Sequence, residues 1–151
     1  MSAAPFGSSG LPLVIDTSAW NRQSEPGVLA EWEAALEAEL LVSCPAAALE
    51  ILAATRDEGE FGAVEEALAA LPQTPLTQAG GRAALGASRE LGAQRRIPAV
   101  DYLIAAAAAE RGFGVLHSDK HFDLLATALG FESVWVCRAA AAPPPPDSDR
   151  P

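Results

Sequence analysis

Four carboxylates occupy positions where acidic side chains can do chemistry, and two of them follow predicted strands. Asp16 comes directly after the apolar run 13–15, and Asp119 comes shortly after the similar run 113–116. Both runs are typical of buried parallel strands. The carboxyl ends of parallel strands meet at one edge of a sheet and leave a crevice there. We therefore expect both side chains to project over the same ligand site.

The other two carboxylates, Glu50 and Asp101, lie in predicted helices. Glu50 is flanked by alanines one turn away on its own helix face, and glutamate is seldom buried without a partner. Asp101 falls in the first turn of a helix that begins near Pro98. Single acids also have structural interpretations, since Asp101 suits a helix dipole and Asp119 suits an N-cap.

If the four carboxylates converge, their mutual repulsion requires a cation. Two carboxylates about 4 Å apart repel by roughly 1 to 4 kcal/mol at effective dielectric constants of about 80 to 20. An all-oxygen ligand set without clustered cysteine or histidine favours Mg²⁺ or Mn²⁺ over zinc. Such an ion activates a bound water and neutralises charge on a phosphoryl oxygen, which is the chemistry of phosphodiester hydrolysis.

The elements that must position these acids are strands and helices in an α/β order. Predicted strands cover residues 13–15, 40–43, 113–116 and 133–137, and predicted helices cover 28–40, 45–56, 61–71, 77–91, 97–111 and 120–129. This order predicts an α/β fold with a mostly parallel central sheet flanked by helices.

Length and composition favour one domain between two extensions. The chain has 151 residues, half of them apolar, which suits a single core of ordinary size. We place the domain at residues 11–138, a disordered N-terminal extension at 1–10 and a disordered proline-rich tail at 139–151. The first residues lack the pattern of a signal peptide and no apolar run approaches the length of a membrane span. We therefore expect a cytoplasmic protein without a membrane partner.

The distribution of charge matters more for a nucleic-acid partner than the formal net charge of −10. Residues 25–66 contain eleven acids and one basic residue, whereas residues 80–96 contain four arginines and one acid. The arginines are Arg82, Arg89, Arg95 and Arg96. Arg82, Arg89 and Arg96 are spaced seven residues apart, so an uninterrupted helix would place these three on one stripe. This segment is either a phosphate-binding ridge for RNA or a solvated face.

Four short motifs resemble those of the PIN-domain family, and more narrowly those of VapC-type toxins. They are Asp16-Thr17-Ser18, Leu49-Glu50-Ile51-Leu52, Ile97-Pro98-Ala99-Val100-Asp101-Tyr102-Leu103-Ile104 and His117-Ser118-Asp119-Lys120-His121-Phe122. The resemblance covers residues 11–137, and it is carried by the occurrence of all four motifs in order at these spacings.

The resemblance implies a PIN fold and the activity of an endoribonuclease toxin that depends on Mg²⁺ or Mn²⁺. A metal-activated water would hydrolyse RNA phosphodiester bonds, a cognate antitoxin would occlude the acidic site, and the toxin would form homodimers. The acidic region 25–66 is then either a contact for a basic antitoxin segment or a solvated face. The alternative is a PIN-like module that binds RNA or protein without cutting, and the presence of all four acids favours the nuclease.

The resemblance also assigns roles to individual residues. The catalytic, metal-binding acids become Asp16, Glu50, Asp101 and Asp119. Asp16 and Asp101 are the expected direct ligands. Ser18, together with Thr17, takes the place of the hydroxyl that assists at the metal or the phosphate. His117 either contacts the substrate and supports the site, or is a structural histidine.

His121 marks the point where this chain departs from the family pattern. Many relatives carry a further acid at this position, and the nearby Asp123 does not point in the same direction. We therefore keep the four acids as the predicted site. His121 itself is expected to be a surface residue at the start of a helix.

Overall fold

A parallel sheet of four strands forms the centre of the protein in the computed structural model, which describes residues 4–137. The strands are β1 (Leu13–Ile15), β2 (Leu41–Val42), β3 (Gly114–His117) and β4 (Glu132–Trp135), in the spatial order β2-β1-β3-β4. Each of the three pairings is parallel, and Leu13 lies opposite both Leu41 and Gly114. The predicted α/β class with a mostly parallel central sheet is confirmed.

Helices flank this sheet within the described part of the chain. They are α1 (Thr17–Trp20), α2 (Leu29–Glu37), α3 (Pro45–Ala53), α4 (Glu58–Ala69), α5 (Gln78–Leu91), α6 (Ala99–Arg111) and α7 (His121–Leu129), with short 3-10 helices at Pro5–Gly7 and Ala93–Arg95. The helix α1 was not predicted, since four residues are too few to show a helical period. Among these described helices, none is both long and apolar enough to span a membrane.

Successive side chains of each strand point to opposite faces of the sheet, and they pack into two apolar layers, one on each face. Val14 and Val115 lie in a layer with residues of α3, α5, α6 and α7. Ile15 and Leu116 lie in the other layer, where they pack with Trp32 of α2. Each fully buried side chain of this kind contributes about 1.5 to 3 kcal/mol. The two layers fix the sheet from both sides and so fix the edge from which the acids project.

Residues 4–10 differ from the disordered extension that their composition predicts. The Phe6 N–H donates to Glu31 Oε1 at 3.0 Å, and the Ser9 hydroxyl donates to Glu132 Oε1 at 2.8 Å. These bonds tie the segment to α2 and β4, because exposed carboxylates accept from its free backbone and hydroxyl groups. The predicted tail at 139–151 lies outside the described residues, as do residues 1–3 and 138.

The arginine stripe that an uninterrupted helix would form does not extend to Arg96. Helix α5 ends at Leu91, and Gly92 follows with φ of +81°, a conformation that glycine adopts without steric penalty. Arg96 is itself left-handed, with φ of +54°. The helix therefore does not run through to Arg96, and only Arg82 and Arg89 belong to α5.

Gly114 is a position where the fold requires a glycine, and its substitution is expected to destabilise the protein. A Cβ there would lie 2.8 Å from the backbone oxygen of Glu132 and 2.9 Å from Cδ2 of Leu13. Gly114→Ala should therefore lower the free energy of unfolding by about 1 to 3 kcal/mol, as overpacking does in other cores. Urea unfolding measures the change.

The matched control is Gly62→Ala in α4. A Cβ at Gly62 meets nothing within 4 Å, and the position is exposed in a helix interior. Alanine there should stabilise the protein by roughly 0.5 to 1 kcal/mol. Equal effects of the two substitutions would contradict the close approach of strands at Gly114.

Candidate active site

The four predicted carboxylates line one open cleft at the carboxyl edge of the sheet. Asp16 follows β1, Asp119 lies two residues after β3, Glu50 comes from α3 and Asp101 from the first turn of α6. The cleft has a volume of about 340 Å³ and is also lined by Asn21. The expected convergence of the four carboxylates is thus present, although Asn21 carried no signal in the sequence.

Asp16 is held by the start of the helix that follows it. It is the N-cap of α1, and its Oδ2 accepts hydrogen bonds from the Ser18 N–H at 2.9 Å and the Ser18 hydroxyl at 2.6 Å. Its Oδ1 is buried without a hydrogen-bond partner. Burial raises the pKa of Asp16, an effect that the Ser18 hydrogen bonds oppose and the Glu50 charge reinforces.

The Ser18 hydroxyl joins the ends of β1 and β3. It donates to Asp16 and accepts from the Ser118 N–H at 2.7 Å. The Ser118 hydroxyl in turn accepts from Arg22 Nη1 at 2.7 Å. Ser18 is therefore engaged inside the protein, where it fixes the spacing between the two strand ends that carry acids.

Thr17 performs the equivalent task for Glu50. Its hydroxyl donates to Glu50 Oε1 at 2.6 Å, which links the start of α1 to the middle of α3. Glu50 is half-buried on a helix whose neighbouring residues, Ala46 and Ala47, are buried. Small alanine side chains allow α3 to pack closely against α6, and the Glu50 carboxylate reaches into the cleft.

Asp101 is the most perturbed acid of the cleft. It is 5% exposed, and its Oδ2 is buried without a hydrogen-bond partner. Burial raises the pKa of Asp101 to about 7, with further contributions from the charges of Asp16, Asp119 and Glu50. Three neighbouring acids therefore act on one buried carboxylate, which is the electrostatic situation that a bound cation relieves.

His121 lies inside the site, and its prediction as a surface residue is wrong. Its Nδ1 is 3.2 Å from Asp119 Oδ1 and 3.5 Å from Asp101 Oδ2. The first turn of α7 brings the ring there, since the His121 N–H donates to Asp119 Oδ1 at 3.0 Å. The spacing of two residues from Asp119 was the available signal, and the helix start decides the direction of the side chain.

His117 is buried in the core rather than exposed to the cleft. Its Nδ1 accepts from the Asp119 N–H at 3.1 Å, and its Nε2 lies 2.7 Å from the Ser133 hydroxyl. The ring also packs against Phe122 and Trp135, with centroids 5.1 and 4.8 Å away. His117 thus supports the backbone that carries Asp119, and its burial keeps it from direct contact with a substrate.

Of the predicted arginines, Arg82 and Arg89 lie in α5, Arg95 lies beside the cleft and Arg96 follows the short 3-10 helix. Arg95 shares a surface depression with Lys120 and His121. Helix α5 runs antiparallel to α6, because Thr77 before α5 donates to Glu110 near the end of α6 at 2.6 Å. Arg82 near the start of α5 therefore lies toward the far end of α6 from Asp101.

The residues of the cleft fit a hard divalent cation. Buried carboxylate oxygens of Asp16 and Asp101 have no hydrogen-bond partner, which leaves their lone pairs available to an ion. One ligand atom each from Asp101, Asp119 and His121 lies within 4.8 Å of the others. This grouping contains one of the two expected direct ligands, Asp101, while Asp16 lines the same cleft.

The sequence of this chain matches a known domain family and a named relative. A model of the PIN domain matches residues 13–128. The chain is 37% identical over 133 residues to Ribonuclease VapC51 of Mycobacterium tuberculosis, an overlap of 85% of this chain and 96% of the relative.

Solved structures with the same fold include toxin–antitoxin complexes. A DNA-bound VapBC from Salmonella typhimurium superposes with a TM-score of 0.66 at 18% identity, covering 84% of this chain and 99% of the other. VapBC-5 of Mycobacterium tuberculosis, a member of the VapBC family of toxin–antitoxin systems, gives a TM-score of 0.61 at 21% identity and covers 83% and 98%. At these identities the two structures establish the fold.

Removing the charge of Asp101 is expected to stabilise the metal-free protein at neutral and higher pH. The folded-state pKa of about 7 lies above the ordinary 3.8, so the folded protein retains a proton that the unfolded chain releases between those values. Stability therefore falls as the pH rises through that interval and remains low above it. Asp101→Asn removes this loss and should raise the free energy of unfolding at pH 8 by on the order of 1 to 4 kcal/mol, at about 1.4 kcal/mol per pKa unit.

Urea unfolding in the presence of chelator, at about pH 5 and pH 8, measures this effect. The gain of Asp101→Asn over the wild type should be larger at the higher pH. Glu65→Gln, which removes an exposed charge on α4, should change stability by less than about 0.5 kcal/mol at both. An Asp101→Asn protein no more stable than the wild type at the higher pH would contradict the raised pKa.

Proposed function

This chain belongs to the PIN domain family, and we propose that it is a metal-dependent endoribonuclease toxin controlled by an antitoxin. The observation that carries the proposal is the meeting of four carboxylates, two with buried unpartnered oxygens, in one cleft at the carboxyl edge of the sheet. A relative named as a ribonuclease aligns over nearly its whole length, which supports the same activity here.

The four carboxylates hold a divalent cation, Mg²⁺ or Mn²⁺. When bound, such an ion supplies an activated water and neutralises charge that develops on a phosphoryl oxygen. Asp16 and Asp101 offer it the buried oxygens without other partners, and Glu50 and Asp119 complete the acidic wall. The scheme requires no protein nucleophile.

The remaining residues of the cleft orient the acids and the substrate. Thr17 fixes the carboxylate of Glu50, and Ser18 fixes that of Asp16 while bridging the two strand ends. The exposed Asn21 lines the cleft and offers an amide donor to a phosphate oxygen. Arg95 and Lys120 lie beside His121 at the rim, where their charges suit the backbone of a single-stranded RNA.

We propose that the antitoxin binds on the acidic surface formed by α2 and α4, away from the basic rim that contains Arg95 and Lys120. An apolar groove of about 300 Å³ is lined by Trp20, Trp32, Leu36 and Leu71. Exposed acids of α2 and α4 lie in the segments beside it, so the groove and its border suit a peptide that combines apolar and basic side chains. The solved VapBC complexes of the same fold support an antitoxin partner, and we also propose that the toxin forms a homodimer.

Loss of either buried acid is expected to abolish RNA cleavage. Asp16→Asn and Asp101→Asn should each reduce the cleavage rate at least about 100-fold, because each removes a ligand charge from a site worth several kcal/mol to the transition state. Cleavage of total cellular RNA by the purified protein, with Mg²⁺ or Mn²⁺ and with chelator, measures the effect.

Glu65→Gln, an acid outside the cleft, serves as the control and should cleave at the wild-type rate. Since Asp101→Asn is expected to be the more stable protein, its inactivity would not reflect unfolding. Full activity of Asp101→Asn, or cleavage that persists in chelator, would contradict the nuclease. Metal-dependent RNA binding without cleavage by the wild type would favour the alternative of a non-cleaving module.

The rim cations are expected to account for part of RNA binding. In the inactive Asp101→Asn background, Arg95→Gln with Lys120→Gln should weaken RNA binding and reduce the slope of log affinity against log salt by about 0.7 per lost phosphate contact. Arg82→Gln is the matched control, because Arg82 lies about 14 Å along α5 from the end nearest the cleft. Equal losses for both changes would indicate that the whole arginine segment binds RNA.

A further inference from the structure

The ring of His121 faces two acids of the cleft without forming a hydrogen bond to either. Its Nδ1 is buried, has no hydrogen-bond partner and lies 3.2 Å from Asp119 Oδ1 and 3.5 Å from Asp101 Oδ2. The side chain is 23% exposed, so one edge of the ring remains open to the solvent. A buried polar nitrogen that contacts two carboxylate oxygens without hydrogen-bond geometry requires a further partner.

The three side chains are arranged as ligands of a common ion. One atom from each of Asp101, Asp119 and His121 lies within 4.8 Å of the others. An independent indication comes from Asp101, whose side chain is 7% exposed and whose Oδ2 is buried and unpartnered among these groups. The first turn of α7 holds Asp119 and His121 together, since the backbone N–H of His121 donates to Asp119 Oδ1.

We propose that His121 is a nitrogen ligand of the metal centre and makes this centre prefer a divalent transition ion such as Mn²⁺ over Mg²⁺. This inference rests on the proposed function, because it concerns the same cation. It follows from ligand chemistry: Mg²⁺ is bound almost entirely by oxygen, whereas imidazole suits first-row transition ions. An aspartate in place of His121 would complete an all-oxygen set that accepts Mg²⁺.

A competing role for His121 is a protonated partner of the two acids. A positively charged imidazolium would neutralise part of their charge without donating a lone pair. In that role it would weaken the binding of every cation equally. The ratio of Mn²⁺ to Mg²⁺ affinity therefore distinguishes a ligand from a charge partner.

Metal binding by the full chain tests the proposal without reference to activity. Bound Mn²⁺ is counted from the electron paramagnetic resonance signal of the free ion, and Mg²⁺ affinity is obtained by competition. The wild type should bind Mn²⁺ more tightly than Mg²⁺, and His121→Asp should reduce the ratio of the two affinities about tenfold or more. Glu65→Gln, which removes an exposed charge on α4 away from the cleft, should leave the ratio unchanged.

Pulsed resonance of the bound Mn²⁺ supplies a second readout. The wild type should show coupling to a nitrogen nucleus that disappears in His121→Asp. The chain has two histidines, and both ring nitrogens of His117 are engaged in the core, so a signal lost in this variant comes from His121.

The outcomes separate this inference from the function on which it rests. Tight binding of both ions with an unchanged affinity ratio and no nitrogen coupling would overturn the role of His121 alone. Binding of neither ion by the wild type would overturn the metal-dependent function as well. A reduced ratio together with loss of the nitrogen coupling establishes His121 as a ligand.

Discussion

Repulsion among carboxylates at one edge of the sheet is the constraint on which the rest of this structure depends. Burial raises the pKa of Asp101 to about 7, and the charges of the three neighbouring acids add to this effect. Such a cluster is unfavourable in the absence of a cation, and the two apolar layers must offset that unfavourable energy. The hydroxyls of Thr17 and Ser18 hold two of the acids in place, so the side chains cannot turn away from one another.

A chain of hydrogen bonds behind the cleft supports the backbone that carries Asp119. The Asp119 N–H donates to His117 Nδ1, which leaves the proton of the neutral ring on Nε2 and directs it to the Ser133 hydroxyl. Ser133 donates to Asp123 Oδ1, and the indole of Trp135 donates to Asp123 Oδ2. β3, β4 and α7 are thereby joined by polar contacts that end on the backbone of a site residue. Asp123, which the sequence left without a role, is the acceptor that completes them.

The strands and the convergence of acids were predictable from the sequence because both follow from short-range patterns. The apolar run before Asp16 and the run before Asp119 both form buried parallel strands. The carboxyl ends of parallel strands meet at one edge of the sheet, so the acid that follows each strand lies at that edge. The backbone direction at Arg96 and the side-chain direction of His121, which was predicted wrongly, are features that a periodic pattern does not encode. Gly92, which has a positive φ, directly follows the last residue of α5, and the backbone beyond it does not continue the helical stripe. The start of α7 turns the side chain of His121 toward Asp119 and Asp101 at the border of the cleft.

The Ser18 bridge between the ends of β1 and β3 means that the cleft is preorganised. Its acids are already fixed by contacts within the folded domain, so a ligand does not have to order loops on arrival, and the entropic penalty of binding is small. Folding of such a protein therefore also arranges the acids of its cleft. The antitoxin proposed above therefore does not have to remodel the site in order to control it, and its release would restore the cleft without a refolding delay.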